Sequence, residues 1–196
     1  MLTRRQLIIK RIFDLSISII VLPFVIIPLI LLLVIASFNT GKNGLFVQKR
    51  IGYLGNPFHL YKIRTLKGAN HIDVVAIKNS ETGYGRWLRQ TKLDELPQIF
   101  NVIKGDMSWV GPRPDVPGYA DKLENEDRII LKVKPGITGP ATLKYRNEDG
   151  LLLKQKNPLE YNDTVIWPDK VKINKAYVAQ WSLGKDINYL WTSVFN

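Results

Sequence analysis

The longest hydrophobic feature of the chain is the run from Leu15 to Phe38, 24 positions without a charged residue. As a straight helix it would be about 36 Å long, enough to cross a ~30 Å hydrocarbon core with some tilt. Two features argue for a segment that enters one leaflet and returns. Pro23 and Pro28 lie inside the run, and each removes a helical hydrogen bond and favours a kink. Arg4, Arg5, Lys10 and Arg11 precede the run while Lys42, Lys49 and Arg50 follow it, so both flanks carry the charge that marks a cytoplasmic side. Residues 1–40 are therefore predicted to form a re-entrant helix hairpin, with Ser16, Ser18 and Ser37 available to freed backbone groups, and residues 41–196 a cytosolic domain.

Beyond the run the pattern shortens. Phe46 to Gly52 reads as a strand ending in a turn, and Pro57 to Leu66 as a second extended segment. Alternation along it puts Phe58, Leu60, Lys62, Arg64 and Leu66 on one face, so Lys62 and Arg64 either reach solvent or meet an anion. Lys67 to Thr82 reads as a loop carrying His71 and Asp73, with no role for His71, and Gly85 to Gln90 as a helical turn. Leu93, Leu96, Phe100 and Ile103 recur at helical spacing, which predicts a helix that starts near Asp94, buries that face and stops at Gly105. A charged helix is predicted over Asp121 to Lys134 and a turn-rich loop over Pro135 to Pro140, whose glycines let backbone approach a ligand closely. Lys144 to Lys175 is polar. Tyr177 to Trp191 is aromatic-rich, suited either to a membrane boundary or to packing under the domain. The fold class that follows is α+β and mostly helical: a monotopic membrane protein with the N-terminal hairpin, a small antiparallel sheet and interfacial amphipathic helices.

Composition narrows the chemistry. The net charge of +11 and the basic pI call for an anionic partner such as phosphate, nucleic acid or acidic lipid. The absence of cysteine removes disulfides, zinc–thiolate sites and cysteine nucleophiles, and the two histidines leave little material for a histidine-rich metal site or a Ser-His-Asp triad. Phosphate-binding G-x-x-x-x-G-K-[ST], dinucleotide G-x-G-x-x-G and zinc-protease H-E-x-x-H motifs are all missing.

The candidate chemistry centres on Leu93-Asp94-Glu95-Leu96-Pro97-Gln98. Two carboxylates at the positive end of a helix stay ionised, as a nucleophile or a metal site requires, although ordinary capping would explain them equally simply. Arg113, held between Pro112 and Pro114, is suited to bidentate binding of a phosphate or to pairing with Asp106 or Glu95. Arg89, five residues before Asp94, reads as a phosphate neutraliser or a surface charge.

Seven short motifs then occur in one order: Lys10-Arg11-Ile12-Phe13-Asp14, Gln48-Lys49-Arg50-Ile51-Gly52, Tyr61-Lys62-Ile63-Arg64-Thr65, the acidic hexapeptide, Lys104-Gly105-Asp106-Met107-Ser108, Gly111-Pro112-Arg113-Pro114 and Pro135-Gly136-Ile137-Thr138-Gly139. The series resembles the bacterial sugar transferase family, the small monotopic phosphoglycosyl transferases, from about Lys10 to the C-terminus. The resemblance implies transfer of a phospho-sugar from a UDP-sugar to undecaprenyl phosphate through a covalent aspartyl intermediate, with release of UMP, at the cytoplasmic face of the inner membrane. It implies Asp94 as nucleophile, Glu95 with Asp94 as the magnesium site, and Lys62, Arg64, Arg89 and Arg113 as cations around the diphosphate or lipid phosphate. Two departures stand out: Ile27-Pro28 where the family's helix break is usually Ser-Pro, and Pro140-Ala141-Thr142 where it often has Trp-Ala-Gln, the mark of a subgroup with a different sugar. The implied partners are the sugar donor, the lipid acceptor and the membrane, with no nucleic acid; a homodimer is left open. The competing readings are a membrane-tethered anion- or nucleic-acid-binding module without catalysis, and a single-pass protein with its domain outside.

Overall fold

A computed structural model describes residues 2–68 and 79–195. His71 and Asp73 lie outside the described residues. The stretch expected to fold back as a hairpin is a single helix, α1 (Arg4–Thr40), with Pro23 and Pro28 inside it. Thr3 opens α1 with a capping box shared with Gln6, and Gly41 closes it in the left-handed conformation at φ 69°. One face of α1 is buried at helical spacing through Lys10, Asp14, Ser18, Leu29, Ala36 and Thr40. The opposite face leaves Ile12, Ile19, Phe24, Ile27, Leu31 and Phe38 exposed.

The buried face of α1 is fastened by polar contacts at its first half and by packing at its second. Asp14 accepts from Ser108 Oγ at 2.9 Å and from the Trp109 N–H at 3.1 Å, and Ser18 Oγ accepts from Trp109 Nε1 at 3.0 Å. Arg11 donates to the Val102 and Ile103 carbonyls at 2.5 and 2.8 Å. Further along, Leu29 and Ala36 join Ile63 and Leu88 in one apolar cluster.

The antiparallel sheet is present as β1 (Leu45–Ile51) and β2 (Pro57–Ile63), paired from Leu45↔Ile63 to Ile51↔Pro57. Both faces of β2 are covered, which breaks the expected alternation. Leu60 packs on Val102 and Met107, whereas Ile63 packs on α1 and on Leu88 of α2 (Gly83–Gln90). The next helix, α3 (Gln98–Lys104), ends at Gly105 as expected, but its buried positions are Gln98, Ile99, Asn101 and Val102. Phe100, predicted inside, is exposed. The polar Asn101 wins the interior place because every one of its groups finds a partner there: its amide bridges His59 O at 2.7 Å and Tyr61 N at 3.1 Å, and its carbonyl accepts from the turn at Gly105 to Met107.

A second, parallel strand pair, β3 (Ser108–Val110) and β4 (Gly136–Thr138), takes in part of Pro135 to Pro140, where the turn residues predict a loop. Its glycines serve backbone-to-backbone approach, since a Cβ on Gly136 would lie 2.1 Å from the Gly111 nitrogen. The charged helix predicted over Asp121 to Lys134 is instead two 3₁₀ segments, Ala120–Lys122 and Asn125–Lys132, separated by extended Leu123 and Glu124. The polar region from Lys144 is helical: α4 (Pro140–Lys144), α5 (Glu148–Leu152), α6 (Pro158–Tyr161) and α7 (Trp167–Ala179).

The aromatic C-terminal stretch ends in the last helix, α8 (Leu183–Phe195), and part of it packs under the domain. Tyr177 and Trp181 are buried in the core, while Ile187, Trp191, Val194 and Phe195 are exposed. The joint between the two ends of the chain is Asp186, fully buried, which accepts from Lys10 Nζ at 2.5 Å, Tyr177 Oη at 2.7 Å and Trp181 Nε1 at 2.9 Å. Removing its carboxylate would strand a buried ammonium, a loss of about 3–5 kcal/mol. Asp186→Ala and Asp186→Asn are therefore both expected to lower the thermal unfolding temperature in detergent sharply, since the amide leaves the lysine charge unpaired and offers an acceptor at only one of the two oxygen positions.

Candidate active site

The acidic pair sits on a tight turn. Lys92 adopts the left-handed conformation (φ 59°), and Leu93–Glu95 forms one 3₁₀ turn closed by bonds from Glu95 N to Lys92 O and Leu96 N to Leu93 O. Pro97, with no N–H to donate, separates this turn from α3. The expected helix start at Asp94 is thus corrected to Gln98, and neither acid caps a helix. Both side chains are nonetheless buried, Asp94 at 7 % and Glu95 at 8 % exposure. Capping, the simple explanation for two adjacent acids, does not apply.

Glu95 is the better-served of the two. Arg113 grips both its carboxylate oxygens, and Lys62 Nζ lies 3.1 Å from Oε1. Burial opposes ionisation of Glu95, but Arg113 and Lys62 outweigh it and hold the carboxyl well below the usual carboxylate range. The same carboxylate raises the Arg113 pKa further, whereas burial lowers that of Lys62 against the pull of Glu95.

Asp94 stands differently. Its Oδ1 is buried without a hydrogen-bond partner among the described residues. Burial raises its pKa, with Glu95 adding to the effect and Lys62 and Arg113 opposing it. The expectation that a helix terminus keeps Asp94 ionised is therefore replaced by a balance between desolvation and two neighbouring cations. A buried acceptor left bare costs free energy unless something else contacts it.

Asp94 lines a cleft of about 1420 Å³ whose lining also includes Lys62, Glu95 and Arg113 together with Val21 and Val25 from the apolar helix. Arg64 and Arg89 also line the cleft but are engaged elsewhere. Arg64 donates to the Asn43 carbonyl at 2.7 Å and lies over the Phe46 ring; Arg89 pairs with Asp149 at 2.5 Å. Of the four predicted cations, two converge on the acidic pair and two stand along the cleft wall. No group of three His, Asp or Glu side chains converges among the described residues, so the adjacent pair Asp94 and Glu95 is the donor set a metal would find.

Sequence reading missed several members of the cleft. Arg50 donates to Gln48 and to the Pro114 carbonyl, which fixes the loop that carries Arg113. Lys170 of α7 pairs with Glu148 of α5 at 2.5 Å. Asp115 lies between these cations, its pKa pushed up to about 7 by burial against the opposing pull of Lys170 and Arg50. Arg50 was present in a quoted motif; Asp115, Glu148 and Lys170 carried no local signal.

The sequence matches the bacterial sugar transferase family over residues 5–196. It is 34% identical over 194 residues to the uncharacterized sugar transferase EpsL of Bacillus subtilis, an alignment covering 96% of this chain and 86% of that protein. It is also 34% identical to the UDP-glucose:undecaprenyl-phosphate glucose-1-phosphate transferase of Klebsiella pneumoniae, and 33% identical to the undecaprenyl-phosphate galactose phosphotransferase of Salmonella typhimurium. Those alignments take in 97% and 93% of this chain but 40% and 39% of the two longer proteins, so the chain spans about two fifths of their length.

Asp115 supplies a pH prediction. The unfolded chain releases this proton near pH 4, the folded protein near 7, so ionising Asp115 within the fold costs stability that accumulates as pH rises through that window. At about 1.4 kcal/mol per unit the cost is a few kcal/mol. Asp115→Asn carries no charge to bury, and its unfolding temperature is expected to gain on that of the wild type by several degrees between pH 5 and pH 8.

Proposed function

This chain belongs to the bacterial sugar transferase family, and from that premise we propose that it transfers a phospho-sugar from a UDP-sugar to undecaprenyl phosphate through a covalent intermediate on Asp94. The observation that carries the reading is the buried, unpartnered Asp94 oxygen in a cleft beside Lys62 and Arg113. The named relatives from Klebsiella and Salmonella support the substrate class.

The chemistry runs in two displacements. A carboxylate oxygen of Asp94 attacks the β-phosphorus of the donor, the bond to the bridging oxygen breaks, and its electron pair leaves with UMP. The product is an acyl phosphate that carries the sugar. A phosphate oxygen of the lipid then attacks the same phosphorus, returns the carboxylate to Asp94 and leaves the lipid as a diphospho-sugar. Lys62 and Arg113, fixed by Glu95, act on the charge of the phosphoryl oxygens without having to reorganise. Arg64 and Arg89 stand where the rest of the diphosphate or the lipid phosphate could be met.

The residues fit a magnesium ion. The bare Asp94 oxygen is a free donor of the kind Mg²⁺ takes alongside substrate phosphates and water, whereas Glu95, ionised but gripped by Arg113 and Lys62, would join it by sharing an oxygen with those cations. Asp94 and Glu95 would hold it, and when bound it would neutralise charge on the phosphate oxygens.

Delivery of a lipid to this cleft accounts for the apolar helix. As a straight rod the 37 residues of α1 would extend about 55 Å, against about 40 Å for the breadth of a domain of this size. Yet Leu2 packs in the core on Val110 and Trp181, and near the other end Ala36 packs in one cluster with Ile63 and Leu88. Both ends on one domain favour a helix bent at Pro23 and Pro28, its exposed outer face in the lipid and its inner residues Val21 and Val25 on the cleft. In this arrangement residues 1–40 dip into the cytoplasmic leaflet and residues 41–196 rest on it with the cleft facing the cytoplasm.

Asp94→Asn is expected to carry no labelled phospho-sugar after mixing with radiolabelled donor and Mg²⁺, and to lose transfer by on the order of 10⁴-fold. Release of UMP by the wild type without any protein-bound label would overturn the covalent mechanism. Arg113→Ala is expected to slow UMP release by about 10²–10³-fold. Chelation of divalent metal is expected to stop release, and added Mg²⁺ to restore it.

A further inference from the structure

We propose that Arg50 binds a phosphate, first the α-phosphate of the donor and then, in the same place, the phosphate of the lipid, an inference that rests on the transferase reading above. The register of the hairpin puts Arg50 of β1 on one face with Phe46, Gln48 and Lys62, and all four line the cleft. Lys62 pairs with Phe46, so Arg50 lies four residues further along the strand, a backbone separation of about 13 Å. Arg113 comes between them. It grips Glu95, which Lys62 also meets, and the carbonyl of the next residue, Pro114, accepts from Arg50 Nη1 at 3.1 Å. The contacts thus run in series from Lys62 through Glu95 and Arg113 to Arg50.

Arg50 differs from the other two cations in its partners. Its Nε and Nη2 donate to Gln48 Oε1 at 3.0 and 2.8 Å, so all three of its bonds go to neutral oxygens and none to a carboxylate among the described residues. Burial and the neighbouring Arg113 lower its pKa to about 10, which leaves it charged at neutral pH. A guanidinium taken out of water beside a second one is costly unless an anion meets it. Of its five N–H donors three are used, and the two left over are enough for a bidentate bond to phosphate. Arg89 and Lys170, further along the cleft, already hold Asp149 and Glu148.

That one site serves two phosphates follows from the geometry of displacement at phosphorus, in which the entering and leaving oxygens stand in line. UMP therefore departs on the side of the phosphorus opposite Asp94. The lipid phosphate that later displaces Asp94 enters opposite Asp94 as well, at the position UMP has vacated. Lys62 and Arg113, fixed by Glu95, act on the phosphoryl group in transit, and Arg50, one step beyond them, meets whichever phosphate lies on its far side.

The test uses full-length enzyme in detergent, carrying labelled phospho-sugar on Asp94 after free donor is removed. Discharge of the adduct is timed with UMP, with undecaprenyl phosphate and with water alone. Arg50→Gln is expected to slow discharge by UMP and by the lipid about 10- to 100-fold each, and hydrolysis by water less than about threefold. Arg50→Lys, which keeps the charge without the fork, should fall between Arg50→Gln and the wild type. If Arg50 only held the Arg113 loop, all three discharges would slow in parallel, because Arg113 acts on the phosphoryl group whatever the nucleophile. That result would overturn the inference, as would a loss confined to UMP or to the lipid, or no loss at all. Equilibrium binding keeps this separate from the mechanism beneath it. Arg50→Gln should weaken UMP and undecaprenyl phosphate by the same factor and leave uridine unchanged, and an equal loss of uridine would count against a phosphate site. A wild type that forms no adduct yet shows this binding pattern would refute the covalent mechanism and leave the phosphate site standing.

Discussion

The structure of the cleft depends on one buried carboxylate. Glu95 draws Lys62 from a strand and Arg113 from a proline-locked loop to a single point, and neither cation has another carboxylate partner among the described residues. A charge removed from water is tolerated only when its partners are close and well oriented, so the three side chains fix one another. Rigid supports share the work. β2 is paired along its whole length with β1, and the loop of Arg113 is held through the Pro114 carbonyl by Arg50. The cations are thereby aimed before any substrate arrives, which is how electrostatic assistance to phosphoryl transfer avoids a reorganisation cost.

Because Glu95 satisfies the cations, its neighbour is left short. Asp94 sits in the same low-dielectric environment with an oxygen that touches no donor, and its proton affinity rises accordingly. Adjacent residues of like type have thus been pushed in opposite directions by their surroundings. Such divergence is what the proposed division of roles between a structural Glu95 and a reactive Asp94 calls for. The cost of the bare oxygen is carried by the fold.

A second buried charge keeps the apolar helix in register with this site. The Lys10–Asp186 pair joins the first helix to the last, and Tyr177 and Trp181 complete the coordination of the carboxylate. Asp14 and Ser18 add a clasp on Trp109, which itself lines the cleft. The helix is therefore anchored by directional polar contacts on the side that faces the domain and left apolar on the other from Ile19 to Phe38. An exposed apolar surface and a polar clasp can share one helix because their positions differ by half a turn.

The sequence by itself determined the apolar run and its prolines, the hairpin of β1 and β2, the stop at Gly105 and the cluster of motifs that carries the family. These are local: periodicity, charge absence and turn chemistry act within a few residues. It also supplied Asp94, Glu95, Lys62 and Arg113, but not that Glu95 would hold both cations, since those partners lie 33 and 18 positions away. Only the tertiary structure decided that Asn101 would displace Phe100 from the interior, that two glycine-rich loops would pair as parallel strands, and that Asp115, Glu148, Lys170 and Asn174 would share a cleft with the acidic turn. The reason is physical: burial and hydrogen-bond satisfaction are properties of surroundings, and a residue's surroundings are assembled from distant parts of the chain.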